Sequence, residues 1–415
     1  MTGYVAPEFN AMFSDNTNHE HTSQLDYTLP LGGEKHLLEA GLKGVFRRND
    51  GLGDEYNGDR EDNMKLDETS VVDMKQFQDV AAAYVSYSGT FGNYSVKGGL
   101  RYEYTRMGIN FHKGDIPDFT TRLSDIVPNA AISYSFAPAH SLRLAYQMRI
   151  SRPSLSQVNP FQLRITDNMV QMGNPDLSSE RSNKVTLTYT NFGRTFGGSV
   201  NLEYSQIDNA ISEYCYAIGE VIYSTRANLG RNRTTTLSGF FNYNISNKMR
   251  LTLNGRVQYV DLNSPNPRFG YAANANERLC ASGWVGGLGG SFDYTMPFNV
   301  KLNAYGGKDF GWLSLNMRSN GWYYYGVNMS RSFLGNDALT VSVNASNFLT
   351  QNRKFINKSH TETSRSYMVN ESRSWNVGVS VSWNFGNLKS NVKKTAATIE
   401  NDDQNTSGGS KGGII

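Results

Sequence analysis

The sequence predicts an all-β protein, an antiparallel transmembrane β-barrel of about 15–16 strands. Apolar and polar residues alternate with period two along most of the chain, and a helical period is nearly absent. The alternating runs reach about 9–11 residues or more, which is the length that a tilted membrane-spanning strand requires. Aromatic residues border the apolar faces, as expected where hydrocarbon meets lipid headgroups.

The run from Trp375 to Phe385 shows this pattern most clearly. Its apolar positions alternate with polar residues or glycine, and they are Trp375, Val377, Val379, Val381, Trp383 and Phe385. Trp375, Trp383 and Phe385 stand at the two ends, so we expect them in the aromatic girdles. The same alternation recurs in four other stretches, residues 142–150, 200–205, 251–259 and 339–345.

Composition narrows the functional classes. A hydrophobic fraction of 38% and a mean hydropathy of −0.50 are too polar for a helical membrane protein, whereas 24 Tyr, 21 Phe and 40 Gly suit a barrel with a wet interior. The net charge of +3 and the absence of a basic cluster argue against a nucleic-acid partner. We find no catalytic or cofactor motif, so we expect neither an enzyme nor a cofactor. A large soluble β-sandwich is the alternative fold, because alternation alone does not exclude it.

Short turns alternate with long polar connections, which predicts the orientation. Bacterial barrels have short periplasmic turns and longer external loops. We expect the short turns at 31–35, 89–93, 137–141, 191–197, 246–248, 296–299 and 334–337. The long connections are expected at about 49–75, 106–126, 152–180, 260–281 and 348–371, with shorter external ones near 208–220 and 308–320.

The predicted number of strands is odd, which is unusual and concerns the amino-terminal region. Counting back from Phe385 gives an odd number of strands, with the first at about His21–Pro30, whereas a bacterial single-chain barrel has an even number and follows a signal peptide. We therefore expect part of the parent protein to be missing. Residues 1–20 would be a remnant of a surface loop or a partial strand, 21–386 the barrel, and 387–415 a disordered polar periplasmic tail. Tyr4–Phe13 as a sixteenth strand is the alternative, which Pro7 weakens.

Two sets of polar residues are candidate sites. Five lie opposite apolar strand faces and would be costly in lipid, so we expect them to face the lumen: Arg143, Arg149, Glu203, Arg256 and Gln258. A weaker candidate is a calcium site in an acidic connection, formed by Asp50, Asp54, Asp59 and Asp62. Their spacing matches no ordered calcium loop, so a solvated acidic loop is the favoured interpretation.

The connection after residue 150 carries a family resemblance. Arg152-Pro153-Ser154 is followed by Asn159-Pro160-Phe161 and then by Gly173-Asn174-Pro175-Asp176-Leu177. This succession resembles the barrel domain of TonB-dependent receptors of Gram-negative outer membranes, over about residues 70–386. The resemblance implies a barrel of about 22 strands, an amino-terminal plug, and a periplasmic segment that engages TonB. The implied function is uptake of a large solute such as a metal chelate, a cofactor or a glycan.

The expected partners have different grounds. The apolar strand faces predict contact with outer-membrane lipid, and the aromatic strand end at Phe385 resembles the signal that the barrel-assembly machinery recognises. The family resemblance implies TonB, only if a missing plug is supplied, and a surface lipoprotein is a further expected partner. Alternative functions are a free-standing passive porin of about 16 strands and a surface adhesin or structural barrel.

Three prolines restrict the backbone of this connection, independently of the family resemblance. Pro153, Pro160 and Pro175 fix φ and keep the preceding residues extended, so they predict a rigid connection. We expect it to fold onto the barrel rim and order the next hairpin, and direct ligand contact is the alternative.

The two cysteines are expected to remain free thiols. Cys215 and Cys280 fall at the external ends of strands that two other strands separate. At about 4.8 Å per strand they are too far apart for a disulfide unless the loops fold inward.

Overall fold

The computed structural model describes residues 9–33, 35–58, 60–66, 72–113, 117–160, 162–166, 169–265, 278–315, 317–334, 337–350, 352–360 and 365–385. These residues are almost entirely β-strand. One short helix, α1 (Leu155–Val158), and two 3-10 turns are the exceptions.

The strands follow one another along the chain with only short interruptions. In order they are β1 (Phe9–Pro30), β2 (His36–Gly58), β3 (Lys65–Leu66), β4 (Val72–Phe91), β5 (Tyr94–Phe111), β6 (Phe119–Ala137), β7 (His140–Ser151), β8 (Leu163–Thr166), β9 (Met169–Gln171), β10 (Glu180–Phe192), β11 (Phe196–Ile218), β12 (Val221–Ser246), β13 (Met249–Pro265), β14 (Arg278–Thr295), β15 (Val300–Asp309), β16 (Met317–Ser319), β17 (Tyr323–Phe333), β18 (Leu339–Ser346), β19 (Asn352–His360), β20 (Arg365–Arg373) and β21 (Asn376–Trp383).

Fifteen of these strands form one antiparallel meander. Each long strand pairs with the next long one along the chain, from β1–β2 through β7–β10 and β15–β17 to β18–β21. The other six are short or belong to connections. Within the described residues no pairing joins β1 to β21, so these two are the edges of the sheet. The prediction of an all-β antiparallel architecture with about 15–16 strands is therefore confirmed.

All seven short turns lie where the sequence predicts them. They join β1–β2, β4–β5, β6–β7, β10–β11, β12–β13, β14–β15 and β17–β18. In an antiparallel meander the connections alternate between the two ends of the sheet, so these seven turns all lie at one end. That end is called here the short-turn end. The opposite end is called the long-loop end.

At the long-loop end the strands extend much further than the sequence indicates. The predicted connection 106–126 is mostly the upper parts of β5 and β6, and 208–220 is almost entirely strand. The predicted loop 348–371 is largely the β19–β20 hairpin, which forms a small second sheet with β16. Backbone pairing does not need an apolar face, so polar strands continue beyond the alternating segments.

The first strand is also longer than predicted. β1 begins at Phe9 and not near His21, and its polar upper half pairs continuously with β2 from Phe9↔Gly58 downward. Residues 9–13 are therefore part of β1, and they do not form a separate sixteenth strand.

The sheet exposes its apolar face. Leu25, Val379 and Trp383 are about two-thirds exposed, which is the reverse of a water-soluble sheet. Register partners continue this face from strand to strand, as in the row Leu25, Leu42, Ala83, Tyr102 and Ile126. A β-sandwich would bury these residues between two sheets, so the soluble alternative does not hold.

Among the described residues, no helix has the length and apolar character needed to cross a membrane.

Candidate functional site: the inner face and the inward segment

The face opposite the exposed apolar residues is called the inner face. Its most structured feature is the inward segment, residues 152–179, which contains α1, β8 and β9. The segment begins with a capped helical turn. The Ser154 hydroxyl accepts from the Gln157 amide at 3.3 Å, and the Gln157 side chain accepts from the Ser154 amide at 2.8 Å. This capping box fixes the start of α1, and Pro160 follows its end.

An apolar cluster attaches the inward segment to the inner face. Val158 and Leu177 are 0% and 2% exposed, and they pack with Met107 of β5 and Leu123 of β6. These four residues form the cluster of fully buried hydrophobic side chains, with Ile211 of β11 packed at its margin. The segment therefore has its own small core inside the sheet.

Gly173 and Asn174 shape the middle of the segment. The Gly173 and Asn174 amides donate to the carbonyls of Asn159 and Gln157, at 2.8 and 2.7 Å. A Cβ on Gly173 would lie 2.6 Å from both carbonyl oxygens, so a side chain does not fit there. The Asn174 side chain accepts from the Asp176 amide at 2.9 Å, which closes the turn around Pro175.

A buried ion pair holds the first residue of the segment. The Arg152 guanidinium contacts the Glu103 carboxylate and donates to the Thr105 hydroxyl at 2.9 Å. The Arg152 and Glu103 side chains are only 5% and 9% exposed, and Arg101 contacts the same Glu103 carboxylate. A buried charge is costly without a partner, so these groups fix each other's positions.

The end of the segment is held from both sides. On the β6 side, Thr121 donates to the Pro175 carbonyl at 3.0 Å, and Ser179 donates to the Asp125 carboxylate at 2.7 Å. On the other side, the Asn209 side chain donates to the Ser179 carbonyl at 2.7 Å, and β9 pairs in parallel with β12. The inward segment thus bridges β6 to β11 and β12.

The strand lengths explain why the segment lies here. β7 ends at Ser151 and β10 begins at Glu180, so both are shorter than their neighbours at the long-loop end. The β6–β7 ladder ends at Asn129↔Gln147, immediately before Pro128, which has no amide hydrogen to donate. This leaves a notch in the wall between β6 and β11, and the inward segment fills it.

The polar residues predicted to face the lumen lie along the wall and not in one site. Glu203 pairs with Lys184 at 3.0 Å. Arg143 lines an inner depression of about 570 Å³ together with Glu39 and Arg101, among other residues. The remaining three are on β7 and β13: Arg149 and Arg256 are exposed, and Gln258 is half-buried.

The other predicted residues have varied positions. Trp375 is 38% exposed and lies beneath the Arg373 guanidinium, whereas Trp383 and Phe385 are 67% and 85% exposed at the short-turn end. Phe161 and Asp59 lie outside the described residues. Asp50 and Asp54 are on β2 and Asp62 is in a 3-10 turn. In the part of the chain that the structure describes, no three His, Cys, Asp or Glu residues form a group that could hold a metal.

Sequence reasoning missed the partners of the inward segment, Glu103, Thr105, Thr121 and Asp125. Their positions within β5 and β6 carry a signal, because each alternates with an outward residue such as Tyr102 or Tyr104. That alternation shows that they face inward, but it does not show what covers them.

The comparisons with known proteins agree with this architecture. The model of the outer membrane protein beta-barrel family matches residues 5–383, so the chain belongs to that family and is an outer-membrane protein. No curated protein matches significantly by sequence.

Solved structures of transport proteins are similar in fold. The ferric citrate transporter FecA matches with a TM-score of 0.59 and 13% identity, over 90% of this chain and 56% of FecA. The siderophore receptor PiuA from Acinetobacter baumannii matches with 0.58 and 12%, over 89% and 56%. The copper transporter OprC matches with 0.64 and 9%, over 90% and 59%. The chain thus spans a little over half the length of these proteins, and at such identities the likeness concerns the fold.

Proposed function

We propose that this chain is the barrel portion of a TonB-dependent receptor-type transporter, which takes up a large solute such as a metal chelate, a cofactor or a glycan. The observation that supports this most strongly is the structural match of about nine-tenths of the chain to the ferric citrate transporter FecA, the siderophore receptor PiuA and the copper transporter OprC. The proposed role is transport and not catalysis.

The proposal includes a larger barrel of about 22 strands. The described sheet has two unpaired edges, β1 and β21, and lipid has no water to satisfy exposed backbone groups. Further strands of the same protein would pair with these edges. A plug within the lumen would provide the contact with TonB, so coupling to TonB is proposed only for a protein that contains a plug.

The inner face is suited to a hydrated solute. Charged residues lie along its wall, among them Arg149, Arg256 and the Lys184–Glu203 pair at 3.0 Å, and such a surface suits a polar cargo better than a lipid-like one. The inward segment lies on this face at the long-loop end, where it would narrow the external entrance beside the solute path.

Uptake in the native bacterium tests the proposal. The gene carrying this chain is deleted, and uptake of labelled ferric siderophores, cobalamin and oligosaccharides is compared with that of the complemented strain. We expect loss of uptake of at least one solute, and the same loss when a protonophore collapses the energy supply of the complemented strain. Uptake that depends on the gene but not on the energy supply would instead indicate a passive porin.

Partners are tested in the same strains. Crosslinking in intact cells, followed by purification of the gene product, is expected to recover TonB and a surface lipoprotein, and pulse-labelled protein is expected to crosslink to the barrel-assembly machinery. An unchanged uptake profile after deletion, combined with loss of cell adhesion, would favour a surface adhesin and contradict the transport proposal.

A further inference from the structure

The outer face changes from apolar to charged at the long-loop end of β4, β5 and β6. The row of Leu25, Leu42, Ala83, Tyr102 and Ile126 is apolar throughout. Four residues further along each strand, the row consists of His21, Phe46, Asp79, Arg106 and Arg122. Four residues span about 13 Å of strand, which is about 9 Å of depth for a strand tilted by about 45°, so the change occurs close to the headgroup layer.

The cations of this charged row outnumber the anions that could neutralise them. Arg48 donates to Asp79 at 2.6 Å, so one guanidinium is paired. Arg106 and Arg122 are direct register partners, both are exposed, and neither forms an ion pair with any described residue. Two like charges facing each other across a ladder are unfavourable unless a counter-charge binds between them. Lys75 adds another exposed cation, opposite the carboxylate of its register partner Asp50. With Arg48 and Lys75 included, four cations therefore lie beside two carboxylates.

The charged rim formed by β11, β12 and β13 differs, because its cations are paired. There, Arg231 pairs with Asp261 at 3.3 Å and Arg233 pairs with Asp208 at 3.2 Å. These four residues lie just above the outward Tyr259 and Trp284, which corresponds to the position of Arg106 above Tyr104. Excess positive charge is therefore a property of the β4–β6 rim and not of every rim position.

Two depressions lie one above the other at the same place. The upper one, of about 680 Å³, is lined by the cations Arg48, Lys75 and Arg106. The carboxylates of Asp50 and Asp79 and the ring of Phe77 also line it. The Arg48 and Arg106 guanidinium groups lie 5.9 and 4.9 Å from the centre of the Phe77 ring, which positions both cations. The lower one is an apolar groove of about 490 Å³ on the membrane-facing surface.

The groove results from small residues between large ones. Gly44, Ala81 and Ala83 form its floor, and Leu25, Leu42, Tyr102 and Tyr104 stand at its sides. Its apolar lining suits an acyl chain, and it ends where the cations begin. A ligand that filled both depressions would have an apolar chain below and an anionic group above.

We propose that this two-part surface binds a phosphate-bearing glycolipid of the outer leaflet, with an acyl chain in the groove and a phosphate between Arg106 and Arg122. Guanidinium groups match phosphate oxygens in geometry and charge, and they bind them with charge-assisted hydrogen bonds. The proposal depends on the outer-membrane location of the chain and not on its transport function.

Lipid retention by the complete gene product tests the phosphate contact. The protein is purified in mild detergent, supplied with lipid A or with the same lipid after removal of its phosphates, and analysed by native mass spectrometry. We expect the phosphorylated form to be retained about tenfold better for each arginine that contacts it. In the Arg106→Gln/Arg122→Gln variant this preference should disappear. Arg194→Gln, an exposed arginine at the short-turn end, is the matched control and should keep it.

A second variant tests the groove. Ala81→Phe fills the groove with an apolar side chain, so retention of both lipids should fall while the preference for phosphate remains. Ala130→Phe, at an exposed outward position on β6 outside the groove, should leave retention unchanged. Heat-modifiable gel mobility confirms that each variant is folded.

Four outcomes of the retention experiments would overturn the proposal. They are equal retention of the two lipids by the unmodified protein, an unchanged preference in the double arginine variant, an equal loss in Arg194→Gln, and no effect of Ala81→Phe. Displacement of the lipid by millimolar inorganic phosphate would show a simple anion site and would equally contradict binding of a lipid.

Discussion

The barrel wall and the inward segment are stabilised in opposite ways. In the wall, large apolar side chains such as Leu25 and Val379 are exposed toward lipid, and the backbone ladders hold neighbouring strands together. In the inward segment, Val158 and Leu177 are completely buried, and the backbone is held by side chains from three different strands. The wall is therefore stabilised as a membrane protein is, by backbone pairing with apolar side chains outside. The inward segment is stabilised as a small soluble domain is, by buried apolar side chains.

This difference has a consequence for substitutions. In the wall, the stability lost on substitution should depend on which face of the sheet the residue occupies. At the inward segment, the stability lost should depend on how completely the partner of the substituted residue is buried.

The largest effect is expected at the buried ion pair. Glu103→Gln removes the carboxylate that balances Arg152, whose side chain is 5% exposed, so we expect a loss of about 3–5 kcal/mol in the attachment of the inward segment. The control is Glu203→Gln, because Glu203 pairs with Lys184 at a more exposed wall position and should cost about 1 kcal/mol or less. Hydrogen exchange of peptides from 152–179 measures the attachment. Equal protection in the two variants would contradict the predicted role of burial.

The next effect is expected on the last strand of the wall. Val379→Arg places a charge toward the hydrocarbon near the middle of β21 and should cost about 2–4 kcal/mol of membrane-fold stability. Ser380→Arg, on the opposite face, should cost much less. Urea titration in lipid vesicles compares them, and similar losses at both positions would show that the face assignment is wrong.

A smaller effect is expected where the inward segment contacts β6. Thr121→Val removes the hydrogen bond to the Pro175 carbonyl while keeping the side-chain shape, so the segment should lose about 1 kcal/mol of local stability. The adjacent Thr120→Val, on the exposed face of β6, is the control and should leave hydrogen exchange of the segment unchanged. If Thr120→Val loosened the segment equally, the effect would come from the strand and not from the contact.

No covalent link is expected between the two cysteines. Cys215 lies on β11 opposite Ser224, and Cys280 on β14 opposite Asn263, with β12 and β13 between these strands. Cys280 is an exposed free thiol that accepts from Asn263 at 3.0 Å. Non-reducing mass mapping should recover both cysteines unlinked, and reducing agent should leave the melting behaviour unchanged. A Cys215–Cys280 peptide would show that the two strands approach each other in a way that the sheet does not allow.

The sequence predicted the wall well because the wall depends on a local rule. The side chains of Trp375, Val377 and Val379 point to one face simply because a strand has a period of two. The short turns were equally predictable, since each interrupts an alternating run within a few residues. Strand ends at the long-loop end were not, because the polar upper parts of β1 and β2 pair through their backbones and show no alternation.

The candidate site was predicted only in part. Pro153, Pro160 and Pro175 identified a rigid connection, because proline restricts the backbone locally. The residues that bind this connection, such as Glu103 and Asp125, lie 49 and 54 positions away from their partners Arg152 and Ser179. No local pattern specifies such a pairing.

The sequence by itself thus determined the membrane-spanning β-architecture and the apolar face of its strands, and it located the proline-restricted connection, since each follows from neighbouring residues along the chain. The tertiary structure alone decided that this connection turns inward to fill the notch between β6 and β11, and that Arg106 and Arg122 stand side by side above an apolar groove. Both arrangements depend on the register and the relative lengths of strands that are distant in sequence, and alternation within one strand carries no information about either.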